Sequence, residues 1–410
     1  MPETIVIAGA GHAAGQAAVS LRQGGFPGRI IMIGEEPYLP YQRPPLSKKF
    51  LAGELEIQRL HIRQERFYAE HDVDVRLATR VEEIERAQQS VLLSDGSRLS
   101  FDRLLLATGS RVRKLDIAGA KLKGVHYLRT IDDVRGIQTG FKPGARLIVI
   151  GAGYIGLEVA AVAVTQGLNV TVLEVADRVM NRVVAPEVSE FFERVHREEG
   201  VDIRCSRDPG GILVGDDAVT AVKSPDGEEL PADLVVIGVG ILPVVDIAEA
   251  AGLACDNGIV VDEFCRTSDA NILAIGDCTN HPNPLLRRRL RLESVHNAQE
   301  QAKTAAATIL KKLQPYAQIP WFWSDQYDLK LQIVGISGEH DKVVLRGDPE
   351  SRSFAAFYMQ GDLLIAVDAI NKPREFMLSK KLIANGARIE PEILADTELP
   401  FKDLATAALS

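Results

Sequence analysis

The chain has 410 residues, 46% of them hydrophobic and 25% charged, which fits two or three globular domains and excludes a disordered, collagen-like or coiled-coil protein. Lys and Arg number 47 against 56 Asp and Glu, a formal charge of −9, so the chain as a whole is poorly suited to grip nucleic-acid phosphates, and any cationic docking surface must be local. Its four cysteines, Cys205, Cys255, Cys265 and Cys278, include no C-x-x-C pair, which argues against a disulfide scaffold or a zinc site and fits a reducing cytoplasm.

Met1-Pro2-Glu3-Thr4 leads straight into an apolar run, without the basic region and cleavage site of a secretory signal. Ile5–Ala8 reads as a strand, Gly9-Ala-Gly11-His-Ala13-Ala14 as a G-x-G-x-x-A turn, Gln16 to Gln23 as a helix, and Arg29 to Gly34 as a second strand ending at Glu35. A further apolar strand, Leu104-Leu-Leu-Ala-Thr-Gly109, ends in a Thr-Gly turn. The opening unit then recurs. Leu147–Ile150 runs into Gly151-Ala-Gly153-Tyr-Ile155-Gly156, a helical stretch from Leu157 to Gln166, and a strand Asn169–Leu173 ending at Glu174. The eighteen residues from Leu147 to Val164 carry only Glu158 as a charge; the internal glycine turn makes them a buried strand, turn and helix and not a membrane span.

The acids fall 26 residues after Gly9 and 23 after Gly151, near the spacing of about 20 in a dinucleotide fingerprint. The first glycine makes the tight turn, the second admits a pyrophosphate, and the third small residue lets helix pack on strand. One such motif is weak and is also met in turns that bind nothing; two in the same context predict two bound dinucleotides. Farther along, Asn271-Ile-Leu-Ala-Ile-Gly-Asp277 is a strand ending in Gly-Asp, and Glu293 to Ala307 is a helix with Ser294 available as its cap. Short strands at 329–334, 342–345, 354–358 and 363–367 precede a helix near 375–385, the pattern of a small antiparallel α+β module.

With its Ala-Thr-Gly and Gly-Asp segments flanking the second repeat, the chain resembles the two-dinucleotide flavoprotein disulfide reductase superfamily. The resemblance implies an α/β fold of two Rossmann-like domains, FAD-binding at 1–110 and 241–318 and NADH-binding at 111–240, followed by a C-terminal α+β interface domain at 319–410. FAD would occupy the first turn, with Glu35 on its adenosine ribose. Asp277 would accept hydrogen bonds from the ribitol chain, unless it is only a buried helix cap. The helix start at Val295 would face the flavin pyrimidine, where its partial positive charge favours an anion by about 0.3–1 kcal/mol. His296 lies in the same turn, although a lone histidine is more often structural. NADH would occupy the second turn, where Glu174 accepts ribose hydroxyls and repels a 2′-phosphate; Arg178 and Arg182 weigh against this preference without replacing the acid.

Members of the superfamily that reduce disulfides or peroxide use early cysteines, and this chain has none before Cys205. Cys278 beside Asp277 is read as a small buried apolar residue. No Ser-His-Asp nucleophile or metal-ligand spacing appears, so electrons must leave for an external acceptor. Pro44-Pro-Leu-Ser-Lys48, Gly151 to Glu158 and Trp321-Phe-Trp-Ser-Asp-Gln-Tyr327 narrow the resemblance to the putidaredoxin reductase-like family, NADH-dependent reductases of small two-iron (2Fe-2S) ferredoxins that feed bacterial cytochrome P-450 monooxygenases. Carried over by motif, Ala13, Glu35, Lys48, Val81, Arg129, Asp277 and Val295 are the implied FAD contacts, with Glu35 standing where some members have Asp. Lys48 and Glu158 are the implied catalytic pair near flavin N5; the alternative is a surface ion pair worth only about 0–1 kcal/mol.

From His281 to Lys312, seven basic residues stand against two acids. A cationic patch there would steer an acidic ferredoxin, or it is simply a solvated face. Arg63, Lys303, Lys330 and Trp323 are the docking residues chosen. Rubredoxin and the ferredoxin of a ring-hydroxylating dioxygenase remain alternative acceptors. An apoptosis-inducing-factor-like flavoprotein, in which NADH binding switches assembly, is the reading from another class, although the targeting sequences or C-terminal insertions of that group are not visible here.

Overall fold

The computed structural model describes residues 3–207 and 212–409; Met1 and Pro2, where the sequence was read for a secretory signal, lie outside them. The chain divides into two compact units. The first is built from the segment ending at Arg43, from Glu56–Arg111 and from Ile241–Pro320; the second from Pro44–Leu55, Val112–Gly240 and the segment starting at Trp321.

The first unit is organised on a parallel sheet in the order Ile272–Ala274, Arg103–Leu106, Thr4–Ala8, Arg29–Ile33 and Val73–Arg76. Successive strand residues face opposite sides, and here both sides are covered. Ile5, Ile7, Ile30, Met32 and Leu105 pack with Ala14, Ala17, Ala18 and Leu21 of the helix His12–Gln23 and with Ala298, Ala302 and Ala305 of the helix Val295–Ile309. Val6, Ala8, Ile31, Ile33, Leu104 and Leu106 pack on the other side with Val81, Ile84, Val91 and Leu93 of a three-stranded antiparallel sheet. Burial on both faces is why these strands read as unbroken apolar runs. The alanines matter for spacing, because their small side chains let the two helices approach the sheet and each other.

The second unit repeats the plan with the parallel order Asp202–Arg204, Asn169–Leu173, Arg146–Ile150, Leu234–Ile237 and Val125–Tyr127. The apolar stretch from Leu147 to Val164 divides into the strand Arg146–Ile150 and the helix Tyr154–Thr165. Among the described residues no helix is long and apolar enough to cross a membrane. The C-terminal part is a five-stranded antiparallel sheet ordered Trp321–Gln326, Leu329–Gly335, Leu363–Ile370, Ser353–Gln360 and Lys342–Asp348, followed by the helices Pro373–Ala384, Pro391–Ala395 and Phe401–Ala408. Its strands run longer than the apolar runs in the sequence: Asp368, Ala369 and Ile370, for example, are buried and stay paired with the neighbouring strands. The strand Trp321–Gln326, with its mixed composition, emerges only in the structure. It lies against the helix Tyr154–Thr165, and the short turn Pro44–Ser47 packs on that same helix.

Candidate active site

The first glycine turn has the geometry its sequence demands. Gly9 sits at φ +124°, and a Cβ there would lie 2.2 Å from the Ala107 carbonyl oxygen; only glycine fits. At Gly11 a Cβ would meet nothing within 4 Å, so that glycine keeps a space open beside the backbone. The helix His12–Gln23 then starts with no side-chain cap and no acid in its first turn, leaving its N–H groups available to an anion. Ala14 is fully buried, and a Cβ on Gly276 would stand 3.2 Å from Ala13. Glu35 projects from the end of the second strand with its side chain 71% exposed, 3.3 Å from Arg80. Asp277 lies in the turn Gly276–Cys278 and accepts a 2.8 Å hydrogen bond from Ser110. Gln301 holds that turn by accepting from the Gly276 N–H at 2.6 Å and from the Thr279 hydroxyl at 3.0 Å. Ser294 caps the helix beginning at Val295, accepting from the Asn297 N–H at 3.0 Å. Val81 is 6% exposed and packs within the apolar core.

The second turn repeats this design in the second unit. A Cβ on Gly151, at φ +103°, would lie 2.5 Å from the Gly238 oxygen; one on Gly156 would lie 2.0 Å from the Gly151 oxygen; one on Gly153 would meet nothing. The helix Tyr154–Thr165 also begins without a side-chain cap or a first-turn acid. Glu174 is partly buried and accepts from the backbone N–H groups of Ala152 at 2.7 Å and Ala176 at 2.9 Å. Two apolar side chains, Ile155 at 43% and Val175 at 66% exposure, stand open beside the turn. Arg178 is spent on the Val184 and Asn181 carbonyls and the Ser189 hydroxyl, whereas Arg182 is exposed. The Arg129 backbone N–H donates to Asp133 at 2.9 Å, next to the capping box that starts the helix Ile131–Gln138.

Lys48 and Glu158 meet within the second unit. Their Nζ–Oε2 distance is 2.7 Å, with side chains 18% and 2% exposed, so this is a nearly dry pair and not a surface one. Two further donors converge on the same carboxylate. Ser47 donates to Oε2, and Ser324 donates to Oε1 at 2.6 Å. Neither serine could be singled out in the sequence. Pro44–Ser47 forms a tight turn, and Lys48 follows it with its N–H on the Pro45 oxygen at 3.0 Å, which fixes the base of the lysine side chain.

All four cysteines are free. Burial pushes the Cys205 and Cys255 thiols up to about 11 and raises those of Cys265 and Cys278, both fully enclosed. None is a thiolate at neutral pH. The basic run is less of a patch than its count suggests: Arg289 donates to the Val261 and Asn280 carbonyls, Arg291 pairs with Glu293, and Lys303 pairs with Glu300. In the first unit, Arg63 is exposed and lies over the Phe67 ring at 5.5 Å. In the second, Lys330 is exposed, and Trp323 is half-buried with its ring 5.4 Å from Trp321.

Two glycine turns with open space, two uncapped helix starts and a buried lysine–carboxylate pair suit an oxidoreductase that binds two dinucleotides, and comparison with known proteins agrees. Residues 3–302 match the family model of pyridine nucleotide-disulphide oxidoreductases, and residues 321–405 match that of the reductase C-terminal domain. Putidaredoxin reductase of Pseudomonas putida is 44% identical over 99% of this chain and 97% of its own length, and rhodocoxin reductase of Rhodococcus erythropolis is 43% identical over 97% and 93%. In the crystal structure of the covalent putidaredoxin reductase–putidaredoxin complex, the matching chain superposes with a TM-score of 0.96 at 44% identity, covering 100% of this chain and 99% of that one. The chain belongs to the pyridine nucleotide-disulphide oxidoreductase family. It is an NADH-dependent oxidoreductase whose cofactors are FAD and the nicotinamide dinucleotide.

Proposed function

We propose that this protein is the ferredoxin reductase of a bacterial cytochrome P-450 monooxygenase system, taking electrons from NADH and delivering them singly to a small 2Fe-2S ferredoxin in the cytoplasm. The observation that carries the reading is the buried Lys48–Glu158 pair beside the second glycine turn, in a chain without a reactive thiol. Bound FAD supplies the conversion of a two-electron hydride into one-electron transfers.

The residues present fit both cofactors. Gly9, Gly11, Ala13 and Ala14 leave room for the FAD pyrophosphate at an uncapped helix start, Glu35 offers an exposed acceptor to the adenosine ribose, and Asp277 offers one to the ribitol. Val81 and Arg129 are assigned to FAD by family resemblance alone. The helix start at Val295 favours negative charge on the flavin pyrimidine. Gly151, Gly153 and Gly156 play the corresponding part for NADH, Glu174 selects the unphosphorylated ribose, and Ile155 covers the cofactor with apolar surface. Lys48 supplies positive charge, and Glu158 orients both the lysine and the nicotinamide.

The test is anaerobic mixing of FAD-loaded protein with NADH and then with an oxidised two-iron ferredoxin, following the flavin and iron–sulfur absorbances. Fast flavin bleaching by NADH and fast reoxidation by ferredoxin are expected. Glu158→Gln should slow the first step far more than it disturbs folding. Neutralising Arg63 together with Lys303 should slow the second step and leave ferricyanide reduction intact. A reduced flavin that ferredoxin reoxidises no faster than buffer does would sink the reading; rubredoxin in the same assay separates the alternative carrier.

A further inference from the structure

Behind Glu158 a run of polar side chains crosses the interior of the second unit. Ser324 touches Glu158 at 2.6 Å, Gln326 Nε2 touches the Ser324 hydroxyl at 3.0 Å, His196 Nε2 touches Gln326 Oε1 at 2.8 Å, and the Tyr327 hydroxyl touches His196 Nδ1 at 2.9 Å. Ser324, Gln326 and His196 are at most 1% exposed. A core polar chain of this length is costly unless every member is satisfied, and none of it belongs to a cofactor contact assigned above.

The direction of each hydrogen bond follows from the charge at one end. An ionised carboxylate only accepts, so the Ser324 hydroxyl must donate to Glu158. Its oxygen is then left to accept, which orients the Gln326 amide with Nε2 toward the serine and Oε1 toward the histidine. Oε1 needs a donor, which places the imidazole proton on Nε2. Nδ1 of the neutral ring then accepts from Tyr327. Burial supports that neutral ring, pushing the His196 imidazole down to about 4. At the far end, Tyr327 lies in the field of Glu199 and Arg352, and Arg352 pairs with Glu198 at 2.8 Å and Asp328 at 3.3 Å.

We propose that Ser324, Gln326, His196 and Tyr327 are positioning residues for the hydride step, a one-way chain of donors that holds the Glu158 carboxylate fixed against Lys48. This rests on the role given above to the Lys48–Glu158 pair. The chain does not carry protons, because Gln326 interrupts it with an amide that has no proton to pass on at ordinary pH. Its service is orientation: one oxygen of Glu158 is held by Ser324, and the other is left to Ser47 and Lys48.

The experiment compares Ser324→Ala, Ser324→Thr, Gln326→Leu and Glu158→Gln in the FAD-loaded protein, measuring the rate of flavin bleaching by NADH across pH 5 to 9. The state of His196 is read separately by imidazole nitrogen NMR. Ser324→Ala should slow bleaching by about tenfold or more, the loss expected when a charge-assisted hydrogen bond to a buried group is removed. Its pH profile should differ from that of the unsubstituted protein, and Ser324→Thr, which keeps the hydroxyl, should restore both. In the unsubstituted protein His196 should stay neutral to pH 5 with its proton on Nε2, and Gln326→Leu should abolish that preference. Slow bleaching in Glu158→Gln with normal rate and pH profile in Ser324→Ala overturns the positioning role and leaves the ion pair's role standing. Normal bleaching in Glu158→Gln removes the ion pair's role instead. Should Gln326→Leu fold poorly, finding the His196 proton on Nδ1 in the unsubstituted protein overturns the chain by itself.

Discussion

The two glycine turns share a scaffold and differ in what surrounds it. In both, the first glycine has positive φ and abuts the carbonyl just past the end of the neighbouring strand, and the second faces open space. The first turn keeps its acid, Glu35, in solvent; the second draws Glu174 inward, onto the N–H groups of its own loop. Four residues beyond Tyr154 the second helix carries Glu158, ion-paired and dry, whereas the corresponding position of the first helix holds Gln16, which donates to Ser20. One architecture thus carries two different surroundings. On the function proposed above, the first turn anchors with space and an open helix end, and the second adds a desolvated charge one helical turn farther in.

That contrast breaks first at the open glycines. Gly11→Leu should give a folded protein that purifies colourless, and Gly153→Leu a yellow one that dithionite bleaches and NADH does not, because under the proposed function each side chain fills the space left for one pyrophosphate. Absorbance of the purified proteins checks both, and equal loss of flavin in the two would erase the distinction. Next comes Lys48→Met, which leaves a buried carboxylate without its cation and should cost about 3–5 kcal/mol of stability, measured by urea denaturation; Gln16→Met in the first helix should cost far less.

A third test concerns Asp368, 1% exposed on a strand of the C-terminal sheet. Burial raises its carboxyl to about 7, partly offset by the hydrogen bond from Tyr358. Because the folded value lies above the unfolded value of about 3.9, the folded state takes up the proton more readily. The stability present below about pH 4 is therefore lost as pH rises through 7. Asp368→Asn, which cannot ionise, should raise the melting temperature more at pH 8 than at pH 5. The smallest effect is expected at the acid itself: Glu174→Ala should narrow the preference for NADH over NADPH by about tenfold, the size of one lost charge-assisted contact, read from the ratio of kcat/KM values.

The two glycine turns of the candidate site were legible in the sequence because their demands are local. A tight turn, a close approach and a strand buried on both faces each impose residue types at fixed spacing, so Gly9, Gly151 and the runs around Ile5 and Leu147 declared themselves. The remainder depends on contacts across the fold. Ser47 and Ser324 converge on Glu158 from 111 and 166 residues away, and serine is too common to signal that. Trp321–Gln326 hid its role because it inverts the usual alternation, turning Ser324 and Gln326 inward and leaving its aromatic rings half-exposed. The basic run shows a different limit: a linear count of charges carries no direction, and Arg289, exposed at the surface, spends its guanidinium on the Val261 and Asn280 carbonyls.

Lys48 belongs by packing to the second unit, yet the peptide that bears it, Pro44–Leu55, leaves and rejoins the first within twelve residues. A gene fragment starting at Val112 would encode the second dinucleotide fold and the C-terminal sheet while omitting the cation that neutralises Glu158. Recombination between homologous reductases is therefore constrained at this excursion. A hybrid joined between this excursion and Glu158 inherits lysine and carboxylate from different parents and retains function only where both parents built the turn Pro44–Ser47 to the same shape.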